Sequence, residues 1–153
     1  MAQFIAYDQN VKVNGQAITA VVHAMEYGRD ARLEIIKKYG ISVVDPNKWY
    51  DQQNWLNALK EMYNTLGGKT LFLIGKAIPE SVNLQPEINT LEKALHSIDI
   101  GFHMNHKGGN IGHYKVTNFD SKKRRSVMVC DNPYPSDFDR GIISAMLTRF
   151  KPA

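Results

Sequence analysis

The chain has 153 residues, 43% of them hydrophobic, and a formal net charge of +4. That length suits one domain around one core, and apolar residues spread along the whole chain exclude a disordered polymer. Cys130 is the single cysteine, which excludes a disulfide-built fold, and the small basic excess permits an acidic partner without demanding one.

Gln3 to Tyr7 and Val11 to Val13 read as short strands or extended arms. Ile18, Val21, Val22 and Met25 recur at helical spacing and predict a helix from about Gly15 to Tyr27. Leu33, Ile36 and Tyr39 mark a second short helix, with Gly40 placed to cap its end. Asp45-Pro46-Asn47 is a turn signal. Trp55, Leu56, Leu59, Met62, Tyr63 and Leu66 give the strongest helical stripe, and Gly67-Gly68 ends it. Thr70 to Ile78 predicts a short buried helix stopped by Pro79, with Gly75 allowing close backbone approach.

A longer helix is predicted from about Glu87 to His106, with Ile88, Leu91, Leu95, Ile98 and Phe102 on its apolar face. Beyond Lys107-Gly108-Gly109-Asn110 the period changes from 3.6 to 2. Tyr114 and Val116 point one way, and His113, Lys115 and Thr117 the other. A turn around Asp120 to Lys123 and renewed alternation from Ser126 to Cys130 complete an antiparallel hairpin. Asn132-Pro133-Tyr134-Pro135 is a rigid connection to a last helix. Ser136 or Asp137 is its expected cap, and Ile142, Ile143, Met146, Leu147 and Phe150 its expected buried side. The fold class is therefore α+β: a mostly helical N-terminal part, a hairpin or small sheet, then a C-terminal helix.

No complete catalytic motif is present. Gly67-Gly68-Lys69-Thr70 resembles the end of a phosphate-binding loop, but Tyr63 stands where that loop needs glycine, and a helix precedes it instead of a strand. His96, Asp99, His103 and His106 fall on one helical stripe, with His113 able to fold back toward it, a pattern that could hold a divalent metal. The alternative is a boundary of hydrogen-bonded histidines at a helix end. Lys122-Lys123-Arg124-Arg125 can contact phosphates but has no interleaved aromatic residue, so it reads as a solvated turn and nucleic acid is not an expected partner. Cys130 reads first as a small buried hydrophobe, and otherwise as a nucleophile or a lipid attachment point.

The order of these pieces carries a resemblance. Thr70-Leu71-Phe72-Leu73-Ile74-Gly75, Gly108-Gly109-Asn110-Ile111-Gly112-His113-Tyr114 and the helix after Asn132-Pro133-Tyr134-Pro135 are its main marks. From about Gly15 to Phe150 the chain is similar to the superfamily of haem–nitric-oxide sensor domains, vinyl-reductase-type small-molecule-binding domains and vesicle-transport tethering subunits. The haem sensors carry Tyr-x-Ser-x-Arg against the propionates; here Tyr134 and Ser136 match, Phe138 replaces the arginine, and Arg140 lies two residues on.

The resemblance implies one sensory or regulatory domain over residues 1–153, homodimeric, holding a small apolar ligand between helices and sheet. Its expected ligand-binding residues are His103, His106, His113, Cys130 and Tyr134. The alternatives are an interaction module without a ligand, marked by exposed apolar residues on the first two helices, and a haem or metal sensor using the histidine stripe. An enzyme using His103, His106 and Cys130 is the third, and no catalytic residue is assigned. No secretory signal or apolar run of ~20 residues is visible, so a cytoplasmic protein without a membrane span is expected. The stop just after Phe150 reads as one domain's share of a longer protein.

Overall fold

Valine alternation makes the centre of the first sheet. Val11 and Val13 are fully buried, and Val13 lies in strand β1 (Lys12–Asn14). The computed structural model that shows this describes residues 3–151. β1 pairs antiparallel with β2 (Trp49–Asp51) on one side and β3 (His106–Lys107) on the other, which sets Val13 opposite both Tyr50 and His106. β2 and β3 are too short to show a period, so the sequence does not announce them. The segment from Gln3 to Tyr7 forms no strand; it is an arm tied down by the Phe4 N–H to the Pro133 carbonyl (2.7 Å) and the Ala6 N–H to the Gln53 side chain (2.9 Å).

Helix α1 (Gly15–His23) is capped by Asn14, whose side chain accepts the Gln16 N–H. It stops before the expected Tyr27 because Arg32, on α2 (Arg29–Lys38), collects the carbonyls beyond its end. The buried guanidinium donates to the backbone oxygens of Val22, Met25 and Tyr27. The cation thus sits at the negative end of α1's dipole. At the end of α2, the Gly40 and Ile41 N–H groups return to the Lys37 and Ile36 carbonyls, the closure expected there. Asp51 caps α3 (Gln52–Leu66), which buries Trp55, Leu56, Leu59 and Met62.

Helix α4 (Gly68–Ser81) runs through Pro79 instead of stopping at it. An internal proline costs about 3 kcal/mol, but here it falls in the last turn. Arg149 of α6 (Ser136–Arg149) closes that end by donating to the Pro79 and Val82 carbonyls (2.8 and 2.9 Å). The two helices run side by side in the same direction. A Cβ on Gly75 would collide with the Phe138 carbonyl oxygen, and one on Gly141 with that of Phe72. The expected close approach at Gly75 is therefore made by a second glycine on the facing helix.

This contact also turns α6. Its buried residues are Phe138, Asp139, Gly141, Ala145 and Met146, while Ile142, Ile143 and Phe150 are half-buried and Leu147 is exposed. Neither Ser136 nor Asp137 caps it; they are its first two residues, and Pro135 is the cap position.

Helix α5 (Leu91–Met104) starts after its cap Thr90, later than expected, and releases His106 into β3. The hairpin of β4 (His113–Asp120) and β5 (Arg125–Asp131) pairs Tyr114 with Cys130 and Val116 with Met128. A bulge between Val116 and Asn118 shifts the register beyond them. Among the described residues these six helices and five strands give the expected α+β class. No helix among them is long and apolar enough to cross a membrane.

The α4–α6 contact leads to a stability expectation. Gly141→Ala should lower unfolding stability by about 1–3 kcal/mol through overpacking, although alanine is the better helix former. Urea denaturation with an unchanged slope would show it, and an equally stable variant would contradict the close approach.

Candidate functional site

Tyr134 is where the elements meet. Its segment is pinned by an Asn132 turn, in which the Asn132 side-chain oxygen accepts the Tyr134 N–H (2.9 Å). β1 then brings two groups to the Tyr134 hydroxyl. Opposite Val13 on β3, His106 sits with Nε2 at 2.5 Å from it. Gln52, whose own N–H binds the Val11 carbonyl, donates its amide to the same oxygen (3.3 Å).

The donors in this chain follow from the carbonyl at its far end. His106 Nδ1 faces the Phe102 backbone oxygen at 2.8 Å and must carry a proton to bond it. Nε2 is then the acceptor, and Tyr134 donates to it. Burial pushes His106 down to about 4, so the ring is neutral at physiological pH, and burial pushes the Tyr134 hydroxyl well above the ordinary tyrosine value. The Phe102 ring packs on His106 (4.5 Å between centroids) and edge-on to Tyr114 (5.2 Å), keeping water from the pair.

A second buried group lies on α6. Asp139 accepts the Tyr114 hydroxyl at 2.5 Å, and the Asn132 amide lies 3.4 Å from both its oxygens. Burial raises its carboxyl to about 7, against the lowering effect of these bonds. Tyr114 itself is fixed by its N–H, which donates to Asp99 of α5 (2.8 Å).

Cavities open on both sides of Tyr134. One, of about 340 Å³, is walled by α1, α3, α4, α5 and α6 and reaches His106, Tyr114 and Tyr134. The other, of about 400 Å³, lies between the N-terminal arm, β5 and α6, and is lined by Cys130, Tyr134 and Asp139 among others.

The expected ligand residues therefore separate. His106 and Tyr134 line the first cavity, and Cys130 and Tyr134 the second. His103 and His113 line neither. His103 is half-exposed and turned back on its own helix, with Nδ1 at 2.9 Å from the Asp99 carbonyl, and His113 lies 3.8 Å from Asp131. The metal stripe is broken because α5 ends before His106; among the described residues no three His, Cys, Asp or Glu side chains gather to hold a metal. Cys130 is half-buried, and burial beside Asp139 pushes its thiol up to about 12, far from a thiolate nucleophile.

Haem does not fit these residues. Both His106 nitrogens are taken, and no residue lining the first cavity carries a formal charge to meet a propionate. Lys122 to Arg125 are exposed at the hairpin turn. Asp139, Tyr114, Asn132 and Gln52 complete the site; the sequence places Tyr114 on the hairpin and Asn132 in the rigid corner but assigns none of the four a role. Asp139 gives no signal of its own, because an acidic residue in a first helical turn is ordinary.

No family model matches the chain, and no curated protein or solved structure matches it.

Two opposite pH effects follow from this pair. Folded Asp139 keeps its proton to about pH 7 and the unfolded chain loses it near 3.8, so its contribution to stability falls as pH rises through that window. Folded His106 stays neutral down to about 4, whereas the unfolded ring protonates near 6.5, so its contribution rises with pH over that interval. Asp139→Asn should unmask the second effect. Relative to the parent chain it should gain about 2–3 kcal/mol between about pH 5 and pH 8. Urea unfolding at both pH values checks this; a constant difference would contradict it.

Proposed function

We propose that the chain is a sensory or regulatory domain, of the superfamily type its sequence resembles, that binds a small, neutral, largely apolar ligand in the 340 Å³ cavity. The observation that carries this is the wall: apolar side chains of five helices surround the space, no lining residue is charged, and a few polar groups meet at one end. A cavity of about 150 Å³ holds benzene, so this one suits a molecule of roughly twice that size.

Gly101 supports the reading. It lies inside α5, where glycine costs roughly 0.5–1 kcal/mol against alanine, and it needs neither a positive φ nor a close neighbour. A Cβ there would meet nothing within 4 Å. What its missing side chain leaves is room in the cavity it lines.

The polar end favours a hydrogen-bond donor on the ligand. The hydroxyl protons of Tyr114 and Tyr134 and the Nδ1 proton of His106 are all committed to protein acceptors. Oxygen lone pairs remain. The same commitments leave no free base beside a nucleophile, which favours holding a ligand over transforming it.

A homodimer or interaction surface is the second reading. No large exposed hydrophobic residue lies on α1 or α2 as formed, but Tyr27, at the end of the expected first helix, is 93% exposed in the turn between them. Ile100 and Met104 instead form an exposed pair one turn apart on α5. Light scattering across concentration tests it, and a strict monomer would end it.

The ligand reading is tested with indole, 1-methylindole and indole-3-carboxylate, followed by protein-detected NMR titration. Indole should bind, the methylated analogue about 10-fold more weakly for want of its donor, and the anion least. Gly101→Leu should fill the cavity and abolish indole binding while keeping or raising the melting temperature. Indole binding unchanged in that variant would refute the assignment.

A further inference from the structure

The second cavity has a different chemistry. Its apolar wall is Ile5, Met128 and Ile143, and its floor includes Asp139. That carboxyl is 5% exposed and takes part in no ion pair among the described residues. Its bonds come from neutral donors, Tyr114 and Asn132. A buried carboxylate without a cation is costly, and the cost is met by keeping a proton or by pairing with a cation from outside.

We propose that this 400 Å³ cavity is a second binding site, for a small organic ammonium ion whose charge pairs with Asp139 and whose short apolar body lies on Met128, Ile143 and Ile5.

The groups around Asp139 include two further carboxylates and one guanidinium. On α6, Arg140 also lines the cavity, and its exposed guanidinium lies 3.4 Å from Asp137. On β5, Asp131 accepts the Tyr7 hydroxyl (2.7 Å) and faces His113 at 3.8 Å. Among the lining residues Asp139 is the one carboxyl and Arg140 the one cation, and the Asp131 carboxyl joins them through Tyr7. Tyr114 of β4, Tyr134 of the connection and Cys130 of β5 are held neutral by burial, as is His106 behind Tyr134. Asp99 of α5 is turned to the Tyr114 N–H. Among the described residues' ion pairs, none joins Lys69 or Lys76 of α4, the helix packed along α6, to Asp139. The Tyr7 and Tyr134 rings line the same space, and aromatic faces attract cations. An anion would meet Arg140 at the wall but would have to lie against the buried Asp139 carboxyl.

The proton balance gives the site a signature. The free carboxyl, raised to about 7, is partly protonated at neutral pH. An arriving ammonium ion favours the carboxylate, so Asp139–COOH gives its proton to the buffer as the ion pair forms.

The test is isothermal titration calorimetry at neutral pH with n-hexylammonium, hexan-1-ol and hexanoate, repeated in two buffers of different ionisation enthalpy. The full chain should bind hexylammonium at least 10-fold more tightly than hexanol, ignore hexanoate and release a fraction of a proton. In Asp139→Asn, which still offers an oxygen to Tyr114, both the preference and the proton release should vanish. Ile143→Trp should block the site without touching Asp139. Equal affinity for amine and alcohol, tighter binding of hexanoate, or binding without proton release would overturn the proposal. Indole binding by the parent chain is a separate result, so failure here and failure of the apolar cavity are told apart.

Discussion

The structure depends on two helices that meet backbone to backbone. With glycines at 75 and 141, α4 and α6 lie closer than any side chain would allow, from Asp137 beside Gly68 to Arg149 at the end of α4. That contact fixes the rotation of α6. It turns Phe138 and Met146 toward the apolar cavity and Asp139 inward to Tyr114, so a packing constraint between main chains becomes the placement of a titratable group. The other half of the site is set by β1, whose short pairings bring His106 and Gln52 to a single hydroxyl.

The two buried titrating groups solve the same problem in opposite ways. Removing either charge from water is expensive, so the base lets go of its proton and the acid keeps it. Between about 4 and about 7 both are neutral, and the interior around Tyr134 carries no formal charge from them. The hydrogen bonds of Tyr134 and Tyr114 then join neutral partners. These two groups contribute a charge only when Asp139 ionises or His106 takes up a proton.

The long apolar periods were legible in the sequence. α3, the hairpin alternation at Tyr114 and Val116, and the need for glycine at position 75 all follow from spacing. What stayed hidden was set by partners far along the chain. The early end of α1 needs Arg32, the passage of α4 through Pro79 occurs beside Arg149, and the buried face of α6 follows Gly141 instead of the Ile142 and Ile143 pair. The histidine stripe failed because one helix boundary moved. Once α5 ends at Met104, His106 belongs to a strand and His103 to the surface. Tyr134 and Cys130 were visible as a rigid corner, but Asp139 looks in sequence like any acidic residue in a first helical turn, and only the fold buries it.

Tyr134 forms part of the wall of both cavities. A partition shared in this way makes the two chambers thermodynamically reciprocal wherever an occupant displaces it. If a guest on one side needs the ring moved, it changes the affinity on the other side by the same factor that the second guest imposes on the first. The hydrogen bond to His106 holds the Tyr134 hydroxyl on that boundary. Its backbone is anchored in the Asn132–Pro135 corner, to which the N-terminal arm is also tied at Pro133, so both chambers share one anchor.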